Sequence, residues 1–117
     1  MKIKVKDIVN NVKHIENLSK ITSMPIKVSY RIKRLTDKIA PIIDTYNKKR
    51  NELIISLGEK NEGDSYTISE VNTKIFEQEH DKLLEIEEDI NFTSIKVEEL
   101  GDITIAPELL VNWIFEY

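Results

Sequence analysis

An α+β fold is what this 117-residue sequence predicts, with a long antiparallel helical hairpin at its centre and a small β-sheet beside it. Three observations predict it. Within Pro25 to Leu57, the apolar residues Val28, Ile32, Leu35, Ile39, Ile42, Tyr46 and Leu53 recur at steps of four and three, the pattern of a helix that needs a partner along its length. A second periodic stretch, Ser69 to Asn91, follows a polar reversal and supplies that partner. Short stretches near both ends alternate with period two, as half-buried strands do.

Composition narrows the class further. Hydrophobic residues make up 40% and charged residues 32% of the chain, with three Gly and three Pro, which predicts one helix-rich domain spanning 1–117. The chain is long enough for a single core without staples. Without Cys there is no disulfide scaffold and no thiolate chemistry, which fits a reducing cytoplasm. No apolar run has the length of a signal peptide or membrane span, so the chain is expected to be neither exported by that route nor embedded. Net charge is −4 but unevenly divided: residues 1–58 hold 13 basic and 5 acidic groups, residues 59–117 hold 4 and 16, and the halves should attract each other.

In chain order, Ile3 and Val5 alternate with Lys2, Lys4 and Lys6 as a short N-terminal strand. Asp7 is placed to cap a short helix from about Ile8 to Lys20, with Ile8, Val12, Ile15 and Leu18 on its inner face. Pro25 opens the long helix near its first position, where a missing amide costs nothing. Pro41 falls inside that helix but off the apolar stripe, predicting a kink rather than a break.

Gly58 reads as the stop, Glu59 to Asp64 as the reversing loop, and Thr67-Ile-Ser-Glu70 as a capping box starting the next helix near Ser69. Antiparallel pairing that sets Leu57 against Val71 gives partner numbers summing to 128 or 129, which puts Tyr46 at Leu83, Ile39 at Ile90 and Arg50 at Glu79. The last pair is expected to act as a register pin more than as a source of stability. Beyond Asn91, Thr93 to Val97 reads as a strand whose partner is the N-terminal one. Pro107 then opens a C-terminal helix with Leu110, Trp113, Ile114 and Tyr117 on one face and Phe115 on another. A helix apolar on most sides is core or interface.

Candidate chemistry is sparse. His14 and His80 share no second ligand at metal spacing, and Glu77, Asp81, Glu85 and Glu88 read as a solvated face, so no metal, cofactor or catalytic residue is assigned. There is no Gly-rich phosphate loop, no HExxH and no nucleophile motif, and a hairpin with a small sheet offers little concavity; the chain is expected not to be an enzyme. Lys27, Arg31, Arg34 and Lys38 form a basic stripe that could meet phosphates, though the acidic total and the acidic partner helix weigh against nucleic acid.

Met24-Pro-Ile-Lys-Val-Ser-Tyr-Arg-Ile-Lys-Arg34, together with the Ile103-Thr-Ile-Ala-Pro-Glu-Leu-Leu110 tail before Trp113, resembles a small family of bacteriophage proteins of unknown function. Those share the order of basic strand, short helix, long helix and acidic helix; Pro41 departs from the uninterrupted long helix they imply. The resemblance implies a phage or prophage source and expression in the bacterial host cytoplasm, and it carries over no catalytic residues. The leading expectation is a protein-binding module, with inhibition of a host defence or replication protein as its specific form, using Trp113 and Phe115 or the basic stripe. A nucleic-acid-binding accessory protein and a phage assembly factor are the alternatives, and homodimerisation is left open.

Overall fold

Alternation at Lys2, Ile3 and Lys4 produces β1 (Lys2–Lys4), with Ile3 buried and the lysines turned outward. In this computed structural model, which describes residues 1–117, the chain is α+β with three helices and three two-stranded sheets. It passes from β1 straight into α1 (Val5–Ser19), because the Val5 amide donates to the Ile86 carbonyl at 2.8 Å. The helix therefore begins three residues before the expected start. Asp7 does not cap it but sits in its first turn, where a carboxylate still complements the positive end of the helix dipole.

The long helix, α2 (Ile26–Leu57), runs 32 residues and continues through Pro41, whose side faces solvent. Pro25 holds the cap position and its carbonyl accepts from Ser29 at 2.9 Å. Val28, Ile32, Leu35 and Ile39 are buried against α1, whose Ile8, Ile15 and Leu18 face them in one cluster.

At the far end of α2 the expected polar loop is instead a β-hairpin. β2 (Gly58–Lys60) pairs antiparallel with β3 (Tyr66–Ile68), Glu59 opposite Thr67. Gly58 is needed there: a Cβ would sit 2.6 Å from the Ile54 carbonyl oxygen, and Gly63 takes φ 87° in the tip. α3 (Glu70–Leu84) then starts where the sequence suggests, but the Thr67–Glu70 capping box is not formed: Thr67 lies in β3, and Ser69 is the cap, its Oγ accepting from the Asn72 amide at 3.3 Å.

Three expectations are corrected beyond this point. α3 ends at Leu84 rather than Asn91, and β4 (Glu87–Asp89) follows. β4, not residues 93–97, is the partner of β1, with Lys2 opposite Asp89 and Lys4 opposite Glu87. Glutamate runs favour helix by local propensity, but pairing with β1 buries Ile3 and Ile90, and that outweighs the preference. The free amine of Met1 extends the pairing, lying 3.3 Å from the Asp89 carboxylate and 3.1 Å from the Ile90 carbonyl.

The third correction concerns the chain's end. Pro107–Leu109 makes one 3₁₀ turn, and no C-terminal helix follows. β6 (Phe115–Glu116) instead pairs in parallel with β5 (Ile95–Lys96), Phe115 opposite Ile95. An apolar run without a stripe does not specify a helix: the chain makes a turn at residues 112–114, where the Ile114 and Phe115 amides donate to the Val111 carbonyl at 3.0 and 2.9 Å, and only Phe115 and Glu116 are extended.

All fifteen members of the buried cluster come from residues 3–39 and 90–115, while α3 buries none of its own residues. The molecule is thus a head, made of α1, the first half of α2 and the C-terminal segment, with an arm made of the second half of α2, the β2–β3 hairpin and α3. Its extents are 53 × 29 × 22 Å, and its radius of gyration of 17.7 Å exceeds the roughly 13 Å of a compact chain this size.

Candidate functional site

Steps of four, three and four place Lys27, Arg31, Arg34 and Lys38 on one face of α2, and the structure does bring them together. Two of the four are already engaged. The Arg31 guanidinium donates to the carbonyls of Thr93 and, at 3.3 Å, Ser94; it lies 3.4 Å from the Glu99 carboxylate and 5.8 Å from the centre of the Phe92 ring. Lys38 donates to the Asn91 carbonyl. These cations fasten the strip from Asn91 to Ser94 onto α2, supplying donors to carbonyls that no strand satisfies. Lys27 and Arg34 form no ion pair and remain exposed.

Beside them stand two side chains that the sequence reading passed over. Ile26 is 81% and Tyr30 63% exposed, one helical turn apart. Their spacing of four, offset from the core stripe at Val28 and Ile32, was the signal that could have revealed them. Tyr30, Arg34 and Phe92 border a depression of about 300 Å³ on this face.

Trp113 and Phe115, expected as contacts on a helix, lie elsewhere in the architecture. Phe115 is 3% exposed and belongs to the core. Trp113 is half-buried, its carbonyl accepts from Ser94 Oγ at 3.3 Å, and its indole Nε1 is buried without a partner. The C-terminal segment is therefore part of the head's interior packing.

On the arm, Asn72 Nδ2 donates to the Leu57 carbonyl at 2.9 Å and Tyr46 Oη lies 2.7 Å from His80 Nε2, so α3 runs back along α2. His80 also stacks on Phe76, ring centres 5.4 Å apart. The expected Arg50–Glu79 pin is not formed: Glu79 pairs with Lys82 in its own helix at 3.0 Å. An exposed intrahelical partner one turn away costs less desolvation than a seam ion pair. Between the two helices a cleft of about 660 Å³ opens, with Leu53, Leu83 and Ile86 among its lining residues. Its edges carry Lys49 with Glu52, 3.1 Å apart, and Lys82 with Glu79.

One ion pair joins arm to head and perturbs its members. Lys4 Nζ lies 2.6 Å from Glu85 Oε2; the hydrogen bond and then the opposite charge raise the Lys4 pKa and lower that of Glu85. Glu85 therefore favours the folded state above the unfolded carboxylate value of about 4.3, and that contribution disappears as pH falls through the lower folded value. Lys4 favours it below about 10.4, and its contribution disappears as pH rises through the raised folded value. We expect Lys4→Met to return the Glu85 midpoint upward to the ordinary carboxylate range, followed by NMR titration of the Glu85 side-chain carboxyl; an unmoved midpoint would assign the shift to another cause.

No three His, Asp or Glu side chains converge as a metal-binding group, and no helix is long and apolar enough to cross a membrane. No protein-family model, curated protein or solved structure matches the chain. The molecule is described by its own architecture: a small α+β head with a basic, apolar-studded face, bearing a two-helix arm.

Proposed function

We propose that this is a non-enzymatic protein-binding module, made by a phage or prophage in the cytoplasm of its bacterial host, that grips an acidic segment of a host defence or replication protein. The observation that carries this reading is the exposure of Ile26 and Tyr30 beside Lys27 and Arg34 on α2. Large side chains left open on an ordered helix are more informative than exposed charge. A tyrosine is a rigid, amphipathic anchor with little rotamer freedom to lose, and Ile26 adds apolar area beside it. Full burial of such side chains contributes about 1.5–3 kcal/mol each, while Lys27 and Arg34 steer an acidic partner and fix its register.

The nucleic-acid alternative uses the same face, with Tyr30 as a stacking platform. It is weakened because Arg31 and Lys38 spend their hydrogen bonds within the molecule. A role in phage assembly remains a third reading, supported by nothing more specific than the sequence resemblance.

The test is site-specific crosslinking in bacterial cells, with a photoreactive aromatic amino acid at position 30. A nuclease-resistant adduct with one protein is expected, and Lys27→Glu with Arg34→Glu should remove it. An adduct that nuclease destroys, or none at all, overturns the protein-binding reading.

A further inference from the structure

Between Ile39 and Ile90 only one side chain is buried, Tyr46, and it lies outside the fifteen-member core cluster of the head. The arm is therefore folded without a core of its own. Few contacts hold α3 along α2. Asn72 Nδ2 donates to the Leu57 carbonyl near the tip, Tyr46 Oη meets His80 Nε2 near the head, and Phe76 stacks on His80. No ion pair crosses from α2 to α3, since Lys48–Asp44, Lys49–Glu52 and Lys82–Glu79 each close within one helix. The cleft that Leu53 and Leu83 help to line keeps the two helices from sealing an apolar seam.

None of the arm's parts is stable alone. A free helix of 15 residues, the length of α3, is marginal in water, and so is a lone two-stranded hairpin such as β2–β3. Each stands only while the others hold it, so losing the contacts of α3 with α2 releases helix and hairpin together. The release has a defined end. At Glu85 and Ile86 the chain is fastened to the head by the Lys4 ion pair and the Val5 amide, and β4 then pairs with β1.

We infer that residues 58–84 open as one cooperative unit while the head stays folded, and that Tyr46 against His80 is the latch that keeps them shut. Tyr46 fits that role by position. It lies seven residues beyond Ile39, where the head's buried stripe on α2 ends, and its partner His80 stands four residues before the end of α3. Beyond it, every side chain of α2 from Asn47 to Leu57 is exposed or half-exposed, so opening uncovers little apolar surface and costs far less than unfolding the head. The long helix itself persists, because its hydrogen bonds run within it and not to α3.

Native-state hydrogen exchange of the whole chain, followed by NMR in sub-denaturing urea, tests this. The amides from Lys74 to Leu84 are expected to share one protection factor, at least about 100-fold below those of Ile15 and Leu35, with a shallower dependence on urea. Tyr46→Phe deletes one hydroxyl and leaves the ring, so folding is retained; it should speed exchange of the α3 amides about fivefold and leave Ile15 and Leu35 unchanged. Tyr46→Ala should speed the α3 amides at least about 30-fold, again with the head unmoved. Protection and urea dependence in α3 equal to those of Leu35 overturn the inference, as does a Tyr46→Phe effect of the same size in head and arm, which marks Tyr46 as part of one shared fold. A gradient of unrelated values along α3 overturns it too, showing fraying in place of a cooperative opening.

Discussion

Phe115→Ala is expected to lower the unfolding free energy by about 3–5 kcal/mol, read from the urea midpoint at unchanged slope. Phe115 is 3% exposed, stands opposite Ile95 in the parallel β5–β6 pair, and belongs to the same buried cluster as Ile114 and Val111. Removing the ring opens a cavity that the backbone, held by the hydrogen bond the Ile95 amide donates to the Ile114 carbonyl at 2.7 Å, cannot collapse to fill. A loss of this size is a large part of the 5–15 kcal/mol that holds a typical domain together. If Phe115 were a free docking residue, the same substitution would cost little and would even improve solubility. A change below about 1 kcal/mol would therefore show that the C-terminal segment is a surface feature after all.

Leu35→Ala should cost about 3–5 kcal/mol, whereas Phe76→Ala, which deletes more atoms, should cost only about 1–2 kcal/mol. Leu35 is fully buried where α1 and the first half of α2 meet. Phe76 is half-buried on the arm, where its main partner is the His80 ring. The inverted order, larger deletion with smaller effect, follows from where the water is excluded. Equal losses from denaturant unfolding of the two variants would mean that head and arm share one core.

How much of this was legible beforehand depended on the kind of contact. The stripe of α2 and the start of α3 near Ser69 could be read because each is specified within a turn or so of its own helix. The turn at Gly58 was visible, but not the strands on either side, since Tyr66 to Ile68 is too short to carry a period. β4 was hidden inside a glutamate-rich stretch that looks helical until Lys2 and Lys4 are set against it. The basic face could be assembled from spacing alone. That Arg31 and Lys38 are committed within the molecule could not, because their acceptors are backbone carbonyls of residues 91–94, which no side-chain pattern announces. The Trp113–Phe115 segment misled for a different reason: uniform apolarity gives composition without direction, and only packing decides between strand and helix.

The pairing of β1 with β4 also governs the order of events when the chain folds. The Met1 amine and the Asp89 carboxylate are 88 positions apart, so this sheet closes about three quarters of the 117-residue sequence into one loop. α1, α2 and α3 can flicker into helix in about a microsecond, but the search that brings the two strands together is limited by chain entropy and must come later. A random encounter of neutral segments would make that search slow. Here the first half of the chain is a polycation and the second a polyanion, so the unfolded chain is drawn together by long-range attraction before any hydrogen bond of the sheet exists. Refolding should accordingly slow as salt screens that attraction, even though the exposed ion pairs of the finished molecule add little to its stability.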